Sequence, residues 1–142
     1  MDITKLQTDE EKAAGVWIKA PWSEDDGPAA EFCIAYTGTS KTYKRALVRG
    51  TRKHSQVELK QKPELAEAIT REAIAEGILL DWKNVFEGEK PLPCTKENKL
   101  KVLAITEIQE WLFNLANDAA NFRAEALAED ADALKSGDPV AP

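Results

Sequence analysis

His54, Cys33 and Cys94 are the side chains of this chain best suited to nucleophilic or metal chemistry. A nucleophile, a general base or a metal centre built on them would need an acid, a base or further ligands at set spacing. His54 is the only histidine. The sequence offers it no identifiable carboxylate or cysteine partner, and its place on an apolar helical face predicts a packed residue. The two cysteines fit no metal-ligand spacing; in a reducing compartment they are expected as free thiols acting as small buried hydrophobes. No glycine-rich phosphate loop or nucleophile elbow is present. Runs of carboxylates stand at the two ends and after Trp22, and such runs usually solubilise. The expected chemistry is recognition without reaction: no enzyme activity, no metal and no cofactor.

One charged cluster does stand out. Residues 41–62 hold Lys41, Lys44, Arg45, Arg49, Arg52, Lys53, Lys60 and Lys62 against the single acid Glu58. Tyr43, Ala46, Leu47, Gly50, His54 and Val57 recur at steps of three and four, which puts them on one helical face and the charge on the other. Three readings are open at this point: a solvated face balanced by the protein's own acidic segments, a docking surface for an acidic partner, and a contact for nucleic acid. Under the docking reading the contact residues are Lys44, Arg45, Arg49, Arg52 and Lys53. The whole chain carries a net charge of -6, so its overall field repels phosphate and makes nucleic acid an unlikely partner.

The elements that must carry this face follow from pattern. Thr8-Asp9-Glu10-Glu11 has the form of a capping box and opens a short helix ending at Gly15. Val16-Trp17-Ile18-Lys19-Ala20 and Glu31-Phe32-Cys33-Ile34-Ala35-Tyr36 suit a pleated surface and predict a β-hairpin over 16–36 with a long acidic loop. Thr37-Gly38-Thr39-Ser40 breaks the second strand. Pro63 starts another helix, where its missing amide matters least. Leu65, Ile69, Ala73 and Leu80, widened by Ile74 and Ile78, give it an apolar arc broad enough for burial on more than one side. Asp81-Trp82-Lys83-Asn84-Val85-Phe86 reads as a loop pinned to the core by Trp82, Val85 and Phe86; the alternative role of Trp82 is a ligand-stacking platform. Thr95 caps a helix through Leu103. Thr106-Glu107-Ile108-Gln109 forms a second capping box before the longest helix. In that helix Ile105, Ile108, Leu112, Leu115, Ala119, Phe122 and Ala126 make a heptad-like seam flanked by Trp111. The seam serves internal packing or, alternatively, a homodimer.

Five short segments, in order and at their spacing, are Gly15-Val16-Trp17, Ala30-Glu31-Phe32-Cys33-Ile34-Ala35, Tyr43-Lys44-Arg45-Ala46-Leu47, Leu80-Asp81-Trp82-Lys83-Asn84-Val85 and Asn117-Asp118-Ala119-Ala120-Asn121-Phe122-Arg123-Ala124-Glu125. Together they resemble the tail assembly chaperones of long-tailed phages and prophages, over about Leu6 to Glu125. Cys94 departs from the larger apolar residue usual there. The resemblance implies a non-enzymatic protein that holds the tape measure protein soluble for tail tube assembly, with the tail tube protein as a further contact. The alternatives are a structural virion protein, such as a head-to-tail connector or tube accessory, and a small nucleic-acid-binding regulator. Trp17, Phe32, Tyr43, Trp82, Val85, Trp111 and Phe122 are read as structural.

At 142 residues the chain is long enough for one domain with a real core. No run approaches the ~18 apolar residues of a membrane span, and the acidic start lacks the pattern of a signal peptide. The expected location is the host cytoplasm. The expected fold is α+β and mainly helical. A globular domain over 1–127 would pack the hairpin on three or four helices in 40–127, with 128–142 as a flexible acidic tail.

Overall fold

The computed structural model of the chain describes residues 1–22 and 27–123. It is a mixed α+β protein, mainly helical. Strands β1 (Val16–Lys19), β2 (Glu31–Ile34) and β3 (Leu79–Lys83) form an antiparallel sheet with β2 in the centre. The described helices are α1 (Glu10–Ala14), α2 (Lys41–Arg52), α3 (Gln56–Gln61), α4 (Pro63–Gly77), α5 (Lys96–Leu103) and α6 (Thr106–Asn117), and Phe86–Glu87 and Lys90–Pro91 pair as a small hairpin, β4 and β5.

The expected β1–β2 hairpin is present, with Val16 opposite Ile34 and Lys19 opposite Glu31. The 81–86 loop is not. Its first half is β3, which pairs with β2 so that Phe32 faces Trp82. A shift of register at Cys33/Ile34 lets Ile34 face Leu79. Alternation therefore sends Phe32, Ile34, Trp82 and Leu79 into one core, where all four are buried. Trp17 points the other way. It is 41% exposed on the outer sheet face, with Lys83 Nζ 4.1 Å from its ring centroid, so its structural contribution is a surface cation–π contact and not core volume.

Helix α4 is the longest among the described residues and the centre of the helical layer. Pro63 stands in its first turn as expected, and Ala73, Ile74, Ala75 and Gly77 are all buried, followed directly by Ile78 and Leu79. Consecutive burial means neighbours on several sides: α2, α5 and β3 all pack on it. Leu80 does not belong to this arc, since it lies in β3 and is exposed.

Two helix N-terminal signals moved by one residue or failed. In α1 the cap is Asp9, whose carboxylate accepts from Glu11 and Lys12 amides, while Thr8 bridges to Arg123. Helix α6 has no capping box: Ile105 is its N-cap without a side-chain bond, and Thr106 is already helical. The Ile105 carbonyl accepts from the amides of Ile108 and Gln109, so a tight connection from α5 replaces the cap. Ser40 and Thr95 do cap α2 and α5 by accepting from Tyr43 and Asn98 amides.

The heptad seam is broken. Asp118 is extended, its carboxylate accepts from the Ala120 amide, and residues Ala119–Phe122 form a 3-10 turn. Phe122 is nonetheless fully buried and stacks on Tyr36 at 5.0 Å between centroids. Leu112, Ala116 and Phe122 are consumed by this chain's own core, which leaves no continuous stripe of the coiled-coil kind. Ala126, the acidic tail of 128–142 and the acidic residues 23–26 lie outside the described residues.

Candidate docking face on helix α2

Helix α2 exists because Ser40 caps it and because Tyr43 and Ala46 bury against α4. Gly50 lets Ile69 of α4 approach so closely that a Cβ would lie 2.6 Å from Ile69 Cγ2. With one face sealed in this way, Lys41, Lys44, Arg45, Arg49, Arg52 and Lys53 are exposed on the others. The helix stops at Lys53, and Val57 belongs to the separate helix α3, where it is solvent-exposed. Ser55 caps α3 by accepting from the Glu58 amide.

The five docking candidates are brought together. Lys44, Arg45, Arg49, Arg52 and Lys53 line one shallow depression with Val48 among them. Val48 is 47% exposed, an apolar spot inside a cationic rim. Sequence reasoning passed over it because it was counted in neither the apolar stripe nor the charge cluster; its spacing of three from Arg45 and four from Arg52 was the available signal.

The five are not equivalent. Lys44 Nζ donates to the Gly38 carbonyl at 2.6 Å, and Arg49 donates to Glu76 of α4 at 2.6 Å. Lys96 also reaches Glu76, at 3.3 Å. The Arg49 hydrogen bond holds the Glu76 carboxyl below its usual range, with Lys96 adding to the effect. So two of the candidate cations are partly spent on internal contacts, Arg49 on a carboxylate and Lys44 on a backbone carbonyl, while Arg45, Arg52 and Lys53 have no ionic partner among the described residues. Reversing Arg45, Arg52 and Lys53 to Glu together is expected to shift stability by no more than about 0.5 kcal/mol per site. Arg49→Glu sets a carboxylate against Glu76 and is expected to melt below that triple variant. Thermal melts of the two proteins side by side check this; an equal or greater loss in the triple variant would mean that the whole face is internally paired.

His54 corrects a second expectation. It does have a carboxylate partner, Glu58, at 2.7 Å from Nδ1. The pair spans i and i+4 across the α2–α3 junction, a spacing legible in the sequence. It ties the end of the basic helix to the start of the next. Burial pushes both thiols up, Cys33 and Cys94 alike, the reverse of the environment a thiolate nucleophile requires. Both are half-buried. Among the described residues no group of three or more His, Cys, Asp or Glu side chains is placed to hold a metal ion, and no helix is long and apolar enough to cross a membrane.

A family model described as YdaY prophage protein matches residues 37–133. The chain belongs to that family. The YdaY match begins at the turn before α2 and runs through α2 to α6, so the docking face lies inside it while β1 and β2 lie before it. Membership makes this a prophage protein, which agrees with the phage origin implied by the five sequence segments. None of the curated proteins and none of the solved structures compared with the chain matches it.

Proposed function

We propose that this YdaY-family protein is a tail assembly chaperone of its prophage, acting without chemistry in the host cytoplasm on the tape measure protein. The observation that carries the reading is the α2 face: three arginine or lysine side chains without ionic partners among the described residues, around an exposed Val48. A client that is long and helix-rich presents apolar stripes and mixed charge before the tail tube encloses it, and reversible shielding needs a surface with both. Prophage family membership and the resemblance of the five segments support the same assignment.

The test is co-expression with the tape measure protein of the same prophage. Its soluble yield is expected to rise severalfold in the presence of this protein. The Arg45, Arg52 and Lys53 triple reversal is expected to lose most of that rise, and in binding measurements to slow association with a weaker salt dependence, since rim charge steers encounter. Equal yields with and without the wild-type protein would reject the chaperone role. Retention of the protein in purified virions would favour a structural virion component, and tight salt-dependent binding to DNA a nucleic-acid regulator.

A further inference from the structure

Exposed large apolar side chains are scattered singly on most proteins, but three of this chain's meet in one place. Trp22 at 43% exposure, Phe86 at 52% and Ile105 at 54% line a single groove of about 810 Å³. Its floor is core: Phe32 and Val102 reach it from β2 and α5. One wall is Ala20 and Trp22, just after β1, with Gly27, Pro28 and Ala30 before β2, the other the β4–β5 hairpin, and the start of α6 closes the end.

The walls are held apart by specific contacts. Trp22 sits edge-on to Trp111 of α6, with centroids 5.3 Å apart. Asn84, in the left-handed region at φ 59°, donates its side-chain amide to the Ala29 carbonyl at 3.2 Å and so ties one wall to the other. Glu87 pairs with Lys101 of α5 at 2.5 Å, which anchors the hairpin, and Gly88 at φ 63° permits its tight turn. A groove fixed in this way is formed before anything enters it.

The charge at the rim is one-sided. Lys101 is the only cation among the lining residues, and Glu87 neutralises it; Glu89 has no ionic partner among the described residues. An occupant must therefore bring apolar side chains to the floor and positive charge to the rim. It must also satisfy its own backbone, because the lining supplies mainly apolar side chains and the polar ones, Asn84 apart, are charged. A helix does this internally, whereas an extended peptide needs a row of backbone partners.

We infer that this groove is a second docking site, taking an amphipathic helix of a partner protein whose apolar stripe is flanked by lysine or arginine. Identifying that helix with a segment of the tape measure protein rests on the chaperone reading; the groove's preference for a cationic amphipathic helix does not. The two docking faces are opposite in charge, the α2 face selecting acidic segments and the groove basic ones. Together they suit a client of mixed charge.

The probe is a fluorescently labelled Leu/Ala peptide of about 18 residues, long enough to be helical, made with either Lys or Glu beside its apolar stripe. By anisotropy the full-length protein is expected to bind the Lys-flanked peptide at least roughly tenfold more tightly than the Glu-flanked one, and Glu89→Lys is expected to narrow the gap. Ile105→Ser and Phe86→Ser are each expected to weaken binding roughly tenfold, as removal of a central apolar anchor does. Serine at position 105 occupies the helix N-cap, where it is favoured, so a folding failure there is not expected; circular dichroism and melting temperature verify both variants. Binding unchanged in these two variants, no binding of the Lys-flanked peptide, or equal binding of both peptides would each overturn the inference. Repeating the tape measure co-expression with Ile105→Ser separates the two proposals. Rescue by wild type and variant alike refutes the groove as the client's site and leaves the chaperone standing. Peptide binding that meets every expectation, alongside no rescue even by the wild type, refutes the chaperone and leaves the groove standing.

Discussion

Trp82→Ala is expected to lower stability by about 3–5 kcal/mol, the usual cost of emptying a large aromatic site in a core. Trp82 is buried in β3, directly opposite Phe32 of β2, and meets that ring edge-on at 6.2 Å. Its indole N–H donates to the Leu92 carbonyl at 2.6 Å. Truncation thus removes three things together: core volume, an aromatic pair and the bond that fastens the segment after β5 to the sheet. In a domain of this size the melting temperature should fall by on the order of 10–20 °C. Trp82→Phe keeps most of the volume and loses the hydrogen bond, so a smaller loss of about 1–2 kcal/mol is expected. Chemical denaturation of both variants checks the ordering. A loss under about 1 kcal/mol in the alanine variant, with partner binding abolished, would return Trp82 to the role of a ligand-stacking platform.

Gly77→Ala is the second large effect. A Cβ at this position would lie 2.4 Å from the Tyr43 backbone nitrogen and 2.7 Å from its Cα. Backbone cannot rotate aside, so α2 as a whole must retreat from α4. The expected loss is about 1–3 kcal/mol or more, the range for overpacking that the surroundings cannot absorb. Ser40 makes it worse, because the hydroxyl that caps α2 also donates to the Gly77 carbonyl at 3.0 Å. Gly50→Ala is the informative contrast. There the obstacle is the Ile69 side chain, which can change rotamer, and alanine is the better helix former by roughly 0.5–1 kcal/mol. Its net effect should stay within about 1 kcal/mol of wild type. Equal stability of Gly77→Ala and wild type would show that α2 slides freely on α4, and the α2 face could then not be a fixed docking surface.

The parts of the fold that were legible in the sequence are those specified by near neighbours. Pro63 and Thr95 mark their helices through first-turn geometry alone, and β1 and β2 announce themselves by branched and aromatic residues. Strand β3 was hidden for a physical reason. Leu79 and Trp82 are three apart and both face the core because the register shifts at Cys33/Ile34, which mimics a helical step and continues the apolar run of α4. The seam in α6 failed where Asp118 bonded the Ala120 amide in place of continuing the helix, a competition that short polar side chains often win. For the docking face, the sequence placed five cations on one side of a helix, and in the structure they line one depression. It was blind to Glu76 and Gly38, because the partners that engage Arg49 and Lys44 come from other elements. The groove of Trp22, Phe86 and Ile105 escaped altogether: each residue sits in a different segment, with no shared period to join them.

The central strand of the sheet is completed by residues about fifty positions further along, and synthesis proceeds at about 5–20 residues per second, so β2 spends roughly 3–10 s with one side unpaired as the chain emerges. A lone two-stranded ribbon is marginal in water, and an open strand edge invites pairing with other chains. Helices α2 and α4 lie in that interval, and their contacts with each other are closer in sequence than the β2–β3 pairing. Docking them first brings Leu79 toward Ile34 and shortens the effective loop that the sheet must close. The expected order of assembly in the nascent chain is therefore helices before the third strand, with the glycine-lined contact between α2 and α4 setting how quickly the vulnerable edge is covered; slower burial of the β2 edge in Gly77→Ala, followed by pulsed hydrogen exchange during refolding, would check it.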